Sequence, residues 1–385
     1  MIRRQYEGQI VETLNRTSAV VILGPRQVGK TTLALTIAKD FDSVYIDLEQ
    51  PGDLQKLEDP GFYFDQHRGK LIVIDEVQRK PGLFQVIRSQ IDNNRSRGHR
   101  HAQFLLLGSA SNELLNQSSE SLAGRVSYQE LHPLNVLETG PEKIHDLWLR
   151  GGFPDSYLDH ASSLQWRQDF IRTYLERDIP MFGSRIPAEI LRRFWTMLGH
   201  NQGQLFNASQ MGGNLNVSGQ SITRYLDLMV DLMLVRRLQP WYANVGKRLV
   251  KSPKTYIRDA GILHALLSIQ SLDSLLAHPV IGASWEGFVI ENIMSAAPPH
   301  TDSYFYRTAA GAEIDMLLSI NDELWAIEIK RATAPKLSKG FRLACNDIKP
   351  VKKWVVYGGE EEYKAKEEVI VISLPKFLTK LRSLS

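Results

Sequence analysis

The stretch that decides the fold is Gly24-Pro25-Arg26-Gln27-Val28-Gly29-Lys30-Thr31-Thr32. It follows an apolar run at 19–23 and precedes a helical pattern at 33–38. A glycine loop between a strand and a helix start is the context of a Walker A phosphate loop. Backbone N–H groups and the peptide dipoles at such a helix N-terminus favour an anion. The stretch therefore predicts a binding site for a nucleoside triphosphate.

The residues of this loop have different expected roles. Gly24 and Gly29 let the backbone turn tightly and approach the phosphates. Lys30 is expected to reach the β- and γ-phosphates, and Thr31 to place its hydroxyl on Mg²⁺. The remaining members of the predicted ATP-binding segment are Pro25, Arg26, Gln27, Val28 and Thr32. The alternative is a glycine turn before an ordinary helix.

A second motif follows at Leu71-Ile72-Val73-Ile74-Asp75-Glu76, an apolar run that ends in two carboxylates. This is a Walker B pattern, in which Asp75 holds Mg²⁺ directly or through water. Glu76 is placed to orient and activate the attacking water. The alternative is a surface acidic pair after a strand.

Two more polar residues are candidates for the same chemistry. Ser109 follows the apolar run 104–107 and is a candidate contact to the γ-phosphate or to water, or else part of a strand-end turn. Arg125 is a candidate sensor or finger that stabilises charge in the transition state. A structural salt bridge accounts equally well for Arg125.

Several motifs together resemble a family of bacterial and archaeal AAA-type ATPases. They are Gly-Pro-Arg-Gln-Val-Gly-Lys-Thr at 24–31, Ile-Asp-Glu-Val-Gln at 74–78, Leu-Ala-Gly-Arg at 122–125, Gly-Gly-Phe-Pro at 151–154 and Tyr-Leu-Glu-Arg-Asp at 174–178. The resemblance covers nearly the whole chain. It implies an AAA-like core, followed by a nuclease-like C-terminal domain whose function is unassigned in the family.

The composition is that of an ordinary globular protein. The chain has 385 residues, of which 43% are hydrophobic and 23% charged, and its net charge is +3. A balance so close to neutral means that any nucleic-acid surface must be a local patch. Cys345 is the only cysteine, which excludes an internal disulfide. With no apolar signal segment and no membrane-length apolar stretch, we expect a cytoplasmic protein without a membrane partner.

The chain is long enough for two or three domains. Apolar runs that alternate with helical or polar stretches predict an α/β fold with a parallel sheet. We expect an AAA-like P-loop core at 1–150, a helical lid with a winged helix at 151–280, and a restriction-endonuclease-like α/β domain at 281–385.

The winged-helix prediction rests on two short helical segments with a tight connection. Asn207 and Ser218 are good N-cap residues, and a strand-like run follows at 234–238. From 236 to 258 there are seven basic residues, no acidic one and three interleaved aromatics. The candidate DNA-binding residues in this run are Arg236, Arg237, Lys247, Arg248, Lys251 and Lys254. The run favours a DNA backbone as its partner, with a protein surface as the alternative.

The tail resembles the Glu…Asp…Glu-x-Lys pattern of restriction-endonuclease-like nucleases, with Glu286, Asp315, Glu328 and Lys330 at the matching positions. If 321–322 is a two-residue hairpin loop, Asp315 lies opposite Glu328 on the paired strand. Facing carboxylates repel unless something cationic lies between them, and a divalent metal is the natural candidate. Lys330 would then orient water, and Glu286 would add a ligand. The alternative is an ion-pair cluster left from an inactive nuclease.

These patterns predict an ATPase that uses ATP and Mg²⁺ and is coupled to DNA binding, remodelling or processing. The alternatives are a nucleotide-dependent switch for a protein partner with an inactive nuclease-like tail, and an ATP-gated, metal-dependent endonuclease. A homo-oligomer is expected only by analogy with AAA proteins.

Overall fold

The structure is a computed structural model that describes residues 2–109, 122–181, 186–242 and 249–384. The chain divides into two compact units. The first comprises Met1–Leu134 with Asp231–Met233, and the second Asn135–Val230 with Leu234–Ser385. Residues 135–150, which we expected in the first domain, thus belong to the second unit. Nearly all of residues 151–280, where we expected a lid, and all of residues 281–385 also lie in that single unit.

The first unit is built on a five-stranded sheet in which every pair of neighbouring strands is parallel. The strand order is β2-β3-β4-β1-β5. The strands are β1 (Ala19–Gly24), β2 (Ser43–Asp47), β3 (Leu71–Asp75), β4 (Phe104–Ser109) and β5 (Val126–Glu130). The apolar runs at 19–23, 44–48, 71–74 and 104–107, which we expected to be parallel strands, are confirmed as such. Strands β1, β3 and β4 are buried along their whole length, as expected of a sheet covered on both faces.

One helix precedes these strands and others connect them. They are α1 (Tyr6–Leu14), α2 (Lys30–Ala38), α3 (Pro51–Lys56), α4 (Pro60–Gln66) and α5 (Leu83–Ser96). Helix α5 buries Leu83, Phe84, Ile87 and Ile91, which recur at the helical spacing, while its remaining positions are mostly polar. These four side chains belong to the same apolar core as alternate residues of β1, β3 and β4. The parallel order places all strand carboxyl ends, and hence the phosphate loop, at one edge of the sheet.

The second unit begins with helices. They are α6 (Val136–Thr139), α7 (Ile144–Arg150), α8 (Pro154–Leu158), α9 (Ser163–Thr173), α10 (Ile179–Met181) and α11 (Ala188–His200), with a π-helical turn at Tyr174–Asp178. Next come α12 (Ala208–Leu215), α13 (Gly219–Asp231) and the antiparallel strands β6 (Val235–Pro240) and β7 (Lys254–Ile257). The expected N-caps are confirmed, since Asn207 accepts from Gln210 N–H and Ser218 from Ser221 N–H, both at 3.1 Å.

The C-terminal part of the second unit contains five helices and six strands of an eight-stranded sheet. Its helices are α14 (Ala260–Leu266), α15 (Leu272–Leu276), α16 (Ile281–Ala296), α17 (Lys339–Ile348) and α18 (Leu374–Arg382). Its strands are β8 (Asp302–Arg307), β9 (Glu313–Ile320), β10 (Glu323–Lys330), β11 (Lys352–Tyr357), β12 (Tyr363–Lys364) and β13 (Ile370–Ser373). The order β12-β13-β11-β10-β9-β8-β6-β7 includes the β6–β7 hairpin. Among the described residues, no helix has the length and apolar character needed to cross a membrane.

The turn between β9 and β10 confirms the predicted two-residue loop. Asn321 and Asp322 both have positive φ, 50° and 64°, which a tight hairpin turn requires and which these two residue types tolerate. Ile320 pairs with Glu323, and the ladder continues to the pair Met316 and Ile327. The next position along the two strands brings Asp315 towards Glu328.

The motif at 151–154 has a structural explanation. Asp259, which is buried, accepts hydrogen bonds from Gly152 N–H at 2.7 Å and Ile262 N–H at 2.9 Å. A Cβ on Gly151 would lie 2.0 Å from an oxygen of Asp259, and Gly151 has a φ of +78°. A Cβ on Gly261 would lie 2.0 Å from the Arg150 carbonyl oxygen. Only glycine fits at these two positions, because helix α14 starts directly against the 150–152 backbone.

Candidate functional site

The phosphate loop connects the end of β1 to the start of α2. Gln27 and Gly29 have φ of 62° and 96°, so the backbone turns through the left-handed region twice within three residues. A Cβ on Gly24 would lie 2.7 Å from the Leu131 carbonyl oxygen, which explains the glycine at the strand end. The loop therefore has the tight backbone path that phosphate binding requires.

Lys30 folds back over this loop. Its Nζ donates to the carbonyl oxygens of Gly24 at 2.9 Å and Pro25 at 3.0 Å, and the residue is 6% exposed. Burial lowers the pKa of Lys30 from 10.5 to about 8, although Glu76 and Asp75 act in the opposite direction. The ammonium group is thus held at the loop, by acceptors that a phosphate oxygen can replace.

Asp75 is the point at which the two nucleotide motifs meet. Its Oδ2 accepts from Thr31 Oγ1 at 2.6 Å and from the Tyr45 hydroxyl at 3.0 Å. Its Oδ1 accepts from Glu76 N–H at 2.9 Å. The two groups that we expected at Mg²⁺, the Thr31 hydroxyl and the Asp75 carboxylate, are therefore adjacent. A hydroxyl and a carboxylate are oxygen ligands that suit Mg²⁺, so these residues fit the ion.

Tyr45 is a site residue that sequence reasoning missed. It lies on β2, which neighbours β3 in the sheet, and it pairs with Val73 two residues before Asp75. Burial raises the Tyr45 pKa above its usual value, and the charge and hydrogen bond of Asp75 raise it further. Tyr45 thus remains a neutral donor that orients the carboxylate. The signal in the sequence was the position of this tyrosine near the end of a strand that adjoins the Walker B strand.

Glu76 directly follows the Walker B strand in a left-handed conformation, with a φ of 52°. Such a conformation is uncommon for a residue other than glycine and is found mostly at functional sites. Gln78 Nε2 donates to Glu76 Oε2. Burial raises the Glu76 pKa above its usual value, while Lys30 opposes this effect. The role of Glu76 as the group that activates water stays a prediction.

The register of the sheet places the two remaining candidates, Ser109 and Arg125, at opposite edges. Ser109 ends β4, is 6% exposed and pairs with Gly24, so it lies at the same sheet edge as the phosphate loop. Arg125 precedes β5, and its carbonyl accepts from Ala19 N–H at the opposite edge. Its guanidinium donates to both carboxylate oxygens of Asp92, at 2.7 and 2.9 Å. The structure therefore does not bring Arg125 to the phosphate loop of its own chain, and the contact it makes is the salt bridge alternative.

The basic run 236–258 differs from the free cationic surface that its sequence predicts. Arg236 donates to both oxygens of Glu291 on α16, Arg237 pairs with Asp227 on α13, and the Lys254 side chain is only 4% exposed. These three cations are paired with carboxylates of helices α13 and α16 and strand β9, so they do not form a phosphate-binding patch. Lys251 is exposed. Lys247 and Arg248 lie outside the described residues.

The four nuclease-like residues lie on α16, β9 and β10. Asp315 Oδ2 accepts from the Ile329 N–H at 2.8 Å, and Lys330 Nζ lies 2.9 Å from Glu328 Oε1. Burial raises the Asp315 pKa to about 7, and the charge of Glu286 adds to this effect. The carboxylate that affects Asp315 is therefore Glu286. Glu328, which we expected opposite Asp315, is instead paired with Lys330 on its own strand.

Glu286, which we expected to bind a divalent metal together with Asp315 and Glu328, pairs with a lysine instead. This finding corrects our prediction of a metal site. Lys254 Nζ lies 2.9 Å from Glu313 Oε1 and 3.4 Å from Glu286 Oε1. Within the part of the chain that the structure describes, no three acidic, histidine or cysteine side chains form a group that could hold a metal ion. These carboxylates therefore have cationic partners within the chain, since Lys254 contacts Glu313 and Glu286 and Lys330 contacts Glu328. Sequence reasoning missed Lys254 because it lies 32 residues before Glu286.

Models of known protein families match three consecutive segments of the chain. A family model described as an AAA domain matches residues 16–140. Two models described as domains of unknown function, DUF8612 and DUF4143, match residues 141–273 and 281–377. Among solved structures, the Walker-type ATPase PABY2304 of Pyrococcus abyssi has a TM-score of 0.50 at 13% identity, covering 69% of this chain and 96% of that chain. This similarity concerns the fold.

The similarity to two mycobacterial proteins extends over nearly the whole chain. The uncharacterized protein Rv2008c of Mycobacterium tuberculosis is 41% identical over 379 residues, which is 98% of this chain and 85% of the relative. The uncharacterized protein Mb2031c of Mycobacterium bovis has the same identity and coverage. The chain therefore belongs to the same family as these two proteins, and its AAA domain is that of an AAA-type P-loop ATPase.

Proposed function

We propose that the chain hydrolyses ATP in the phosphate loop of its first unit, and that DNA is the partner to which this hydrolysis is coupled. The observation that carries the ATPase proposal is the 2.6 Å hydrogen bond between the Thr31 hydroxyl and the Asp75 carboxylate. It joins the Walker A and Walker B motifs at the point where a triphosphate and its magnesium ion would bind. Residues that are 44 positions apart in sequence meet there with the chemistry that each motif predicts.

In this proposal the loop residues bind and orient the triphosphate. The N–H groups at the start of α2 point towards bound anions, and Lys30 exchanges its two loop carbonyls for phosphate oxygens. Thr31 and Asp75 hold Mg²⁺, with Tyr45 keeping the carboxylate in position. The ion, when bound, neutralises charge on the phosphates and orients them.

In this proposal Glu76 activates the attacking water, and Ser109 helps to position the reacting groups. Glu76 leaves its contact with Gln78 and accepts a proton from the attacking water, for which its raised pKa makes it a stronger base. Ser109 lies at the same sheet edge, where its hydroxyl can hold that water or the γ-phosphate. Arg125 has no part in the chemistry of its own chain.

The test of this proposal is ATP turnover by the full chain, compared with Lys30→Ala and with a matched pair of glutamate variants. We expect Lys30→Ala to lose ATP binding and Glu76→Gln to lose turnover. Glu58→Gln, which changes an exposed glutamate after α3, should match the wild type. Turnover that persists in Lys30→Ala would refute an active site at this loop.

The DNA part of the proposal rests on the elements of the second unit between α11 and β7. Three helices followed by an antiparallel hairpin are the element order of a winged helix, whose second short helix enters a DNA groove. On that helix, α13, the side chains of Gln220, Thr223 and Arg224 are exposed. We propose these three residues and Lys251 as the DNA contacts, in place of the internally paired part of the basic run. The earlier candidates Lys247 and Arg248 lie outside the described residues and stay predictions.

A nucleotide-dependent switch for a protein partner is the second candidate function. It is favoured by the pairing of Arg236 and Arg237, which removes cationic charge from the predicted DNA surface. ATP turnover with no DNA, single strands, duplex and a four-way junction discriminates the two. Stimulation that is lost in Arg224→Ala supports DNA coupling, whereas a rate that no DNA changes supports the switch. A homo-oligomer belongs to both proposals, and light scattering with and without ATP tests it.

A further inference from the structure

One arginine outside the nucleotide motifs contacts the phosphate loop. Arg4 precedes α1 and is 9% exposed. Its Nη1 donates to the Val28 carbonyl oxygen at 2.9 Å, 24 residues further along the chain. A guanidinium keeps its charge in proteins, so burying one requires acceptors that are fixed in place. Neither the Walker motifs nor the chemistry proposed above gives this contact a role.

The other end of the guanidinium is held at the sheet. Its Nη2 donates to the carbonyl oxygen of His132, just after β5. That segment is fixed to the end of β1, because Leu131 N–H donates to the Leu23 carbonyl oxygen at 2.7 Å. The Tyr6 ring lies nearly parallel to the His132 ring, with the two centroids 6.3 Å apart. Arg4 thus links the phosphate loop to the carboxyl edge of the sheet.

The bond from Arg4 determines which way the next peptide group faces. The peptide bond between Val28 and Gly29 is planar and trans, so its C=O and N–H point in opposite directions. Because the carbonyl is turned towards Arg4, the Gly29 N–H points away from it. Among the described residues, no oxygen accepts a hydrogen bond from this N–H. A free N–H directly before helix α2 is the kind of donor that binds phosphate.

The loop sequence by itself does not keep this peptide group in place. Gly29 has a φ of 96°, and glycine adopts positive and negative φ with similar ease, so the peptide plane can rotate at little cost. Lys30 holds the carbonyls of Gly24 and Pro25, which lie at the other end of the loop. The group that fixes the Val28–Gly29 peptide must therefore come from outside the loop, and Arg4 is placed to do so.

We propose that Arg4 is a positioning residue for the nucleotide, which holds the Val28 carbonyl away from the bound phosphates so that the Gly29 N–H faces them. Without Arg4 the peptide flips in part of the molecules and presents a carbonyl oxygen, which repels phosphate. The apparent dissociation constant then rises in inverse proportion to the fraction of competent molecules. This inference rests on nucleotide binding at the phosphate loop, as proposed above, and is independent of DNA.

The test is ADP binding by the full chain in the presence of Mg²⁺, measured by isothermal titration calorimetry. We expect Arg4→Met to raise the Kd for ADP at least about tenfold, which corresponds to a competent fraction of about a tenth or less. Inorganic pyrophosphate, which carries the phosphates alone, should lose affinity by the same factor. Arg3→Met is the matched control, because Arg3 is the adjacent arginine, its side chain is 84% exposed and it contacts Glu7. Its Kd should stay within about twofold of the wild type.

A second readout separates positioning from a purely structural role. The N–H binds the phosphates before and during reaction, so the KM for ATP should rise in Arg4→Met while kcat stays within about twofold. An arginine that only stabilised the fold would lower the unfolding temperature and leave the Kd of the folded chain unchanged.

Two results would contradict the inference, and they are distinguishable. A folded Arg4→Met chain that binds ADP as tightly as the wild type would overturn the role of Arg4 alone. If circular dichroism shows that Arg4→Met is unfolded, Arg4→Gln decides by the same criterion. A wild-type chain that binds no ADP would overturn the nucleotide site itself, and with it the proposed function.

Discussion

Replacing Thr31 by valine removes one hydroxyl and keeps the size and β-branching of the side chain. That hydroxyl donates to Asp75 Oδ2 at 2.6 Å, so the substitution deletes the direct link between the two nucleotide motifs. The Tyr45 hydroxyl, 3.0 Å from the same oxygen, still holds the carboxylate. We therefore expect a folded protein in which the magnesium site has lost one oxygen ligand.

The size of the effect follows from the charge on the acceptor. A hydrogen bond to a charged group contributes about 1.5–3 kcal/mol. Because each 1.36 kcal/mol is a factor of ten, the loss corresponds to a fall of about 10- to 150-fold in kcat/KM for ATP. The assay is ATP turnover at several Mg²⁺ concentrations, and we expect the Mg²⁺ requirement to rise as well.

Thr36→Val is the matched control. Thr36 lies on the same helix and its hydroxyl donates at 2.8 Å, but the acceptor is the Thr32 backbone carbonyl. We expect its kcat/KM to stay within about twofold of the wild type, since an exposed helical substitution changes stability by about 0.5 kcal/mol or less. Equal effects of Thr31→Val and Thr36→Val would refute the assignment of Thr31 to the magnesium site.

Three further predictions concern stability and pH. Gly261→Ala should lower the free energy of unfolding, measured by urea denaturation, by at least about 2 kcal/mol, because its Cβ would lie 2.0 Å from the Arg150 carbonyl oxygen. The control is Gly282→Ala, whose Cβ would have nothing within 4 Å and which should be neutral or stabilising. Burial lowers the His264 pKa from 6.5 to about 4, so the unfolded chain binds the proton more readily. The His264 contribution to stability should therefore fall by about 3 kcal/mol as pH decreases from 6.5 to 4, measured as the difference between the pH dependence of the wild type and that of His264→Asn. Because the Lys30 pKa is about 8, ATP affinity measured by fluorescence titration should weaken as pH rises through 8, and Lys30→Arg should show no such dependence.

The parts of the molecule that sequence reasoning predicted correctly are those fixed by local chemistry. The phosphate loop needs its glycines and its lysine within seven residues, and short apolar runs separated by helical stretches are typical of parallel strands. The hairpin register at Asn321 and Asp322 followed from a two-residue loop and a side-chain period of two. Such features depend on neighbours in sequence, so they can be found without the fold.

What could not be predicted depends on pairs that are distant in sequence. The basic run contains no carboxylate, yet Glu291 neutralises Arg236 and Arg258 from a helix more than 30 residues further on. In the same way, Lys254 pairs with Glu286 and Glu313 from a strand 32 residues before Glu286, and nothing in the sequence indicated this partner. The requirement for a partner of opposite charge was predicted correctly, but the residue that provides this charge was not.

The measurement that tests the central claim most directly separates ATP binding from ATP hydrolysis in the Glu76→Gln chain. Radiolabelled ATP is incubated with wild type, Glu76→Gln and Glu58→Gln, and bound nucleotide and released phosphate are both counted. If Glu76 activates water at a site assembled by Lys30, Thr31 and Asp75, Glu76→Gln binds ATP as the wild type does and releases phosphate at least about 100-fold more slowly. Phosphate release at the wild-type rate, or loss of ATP binding in this variant alone, would contradict the account.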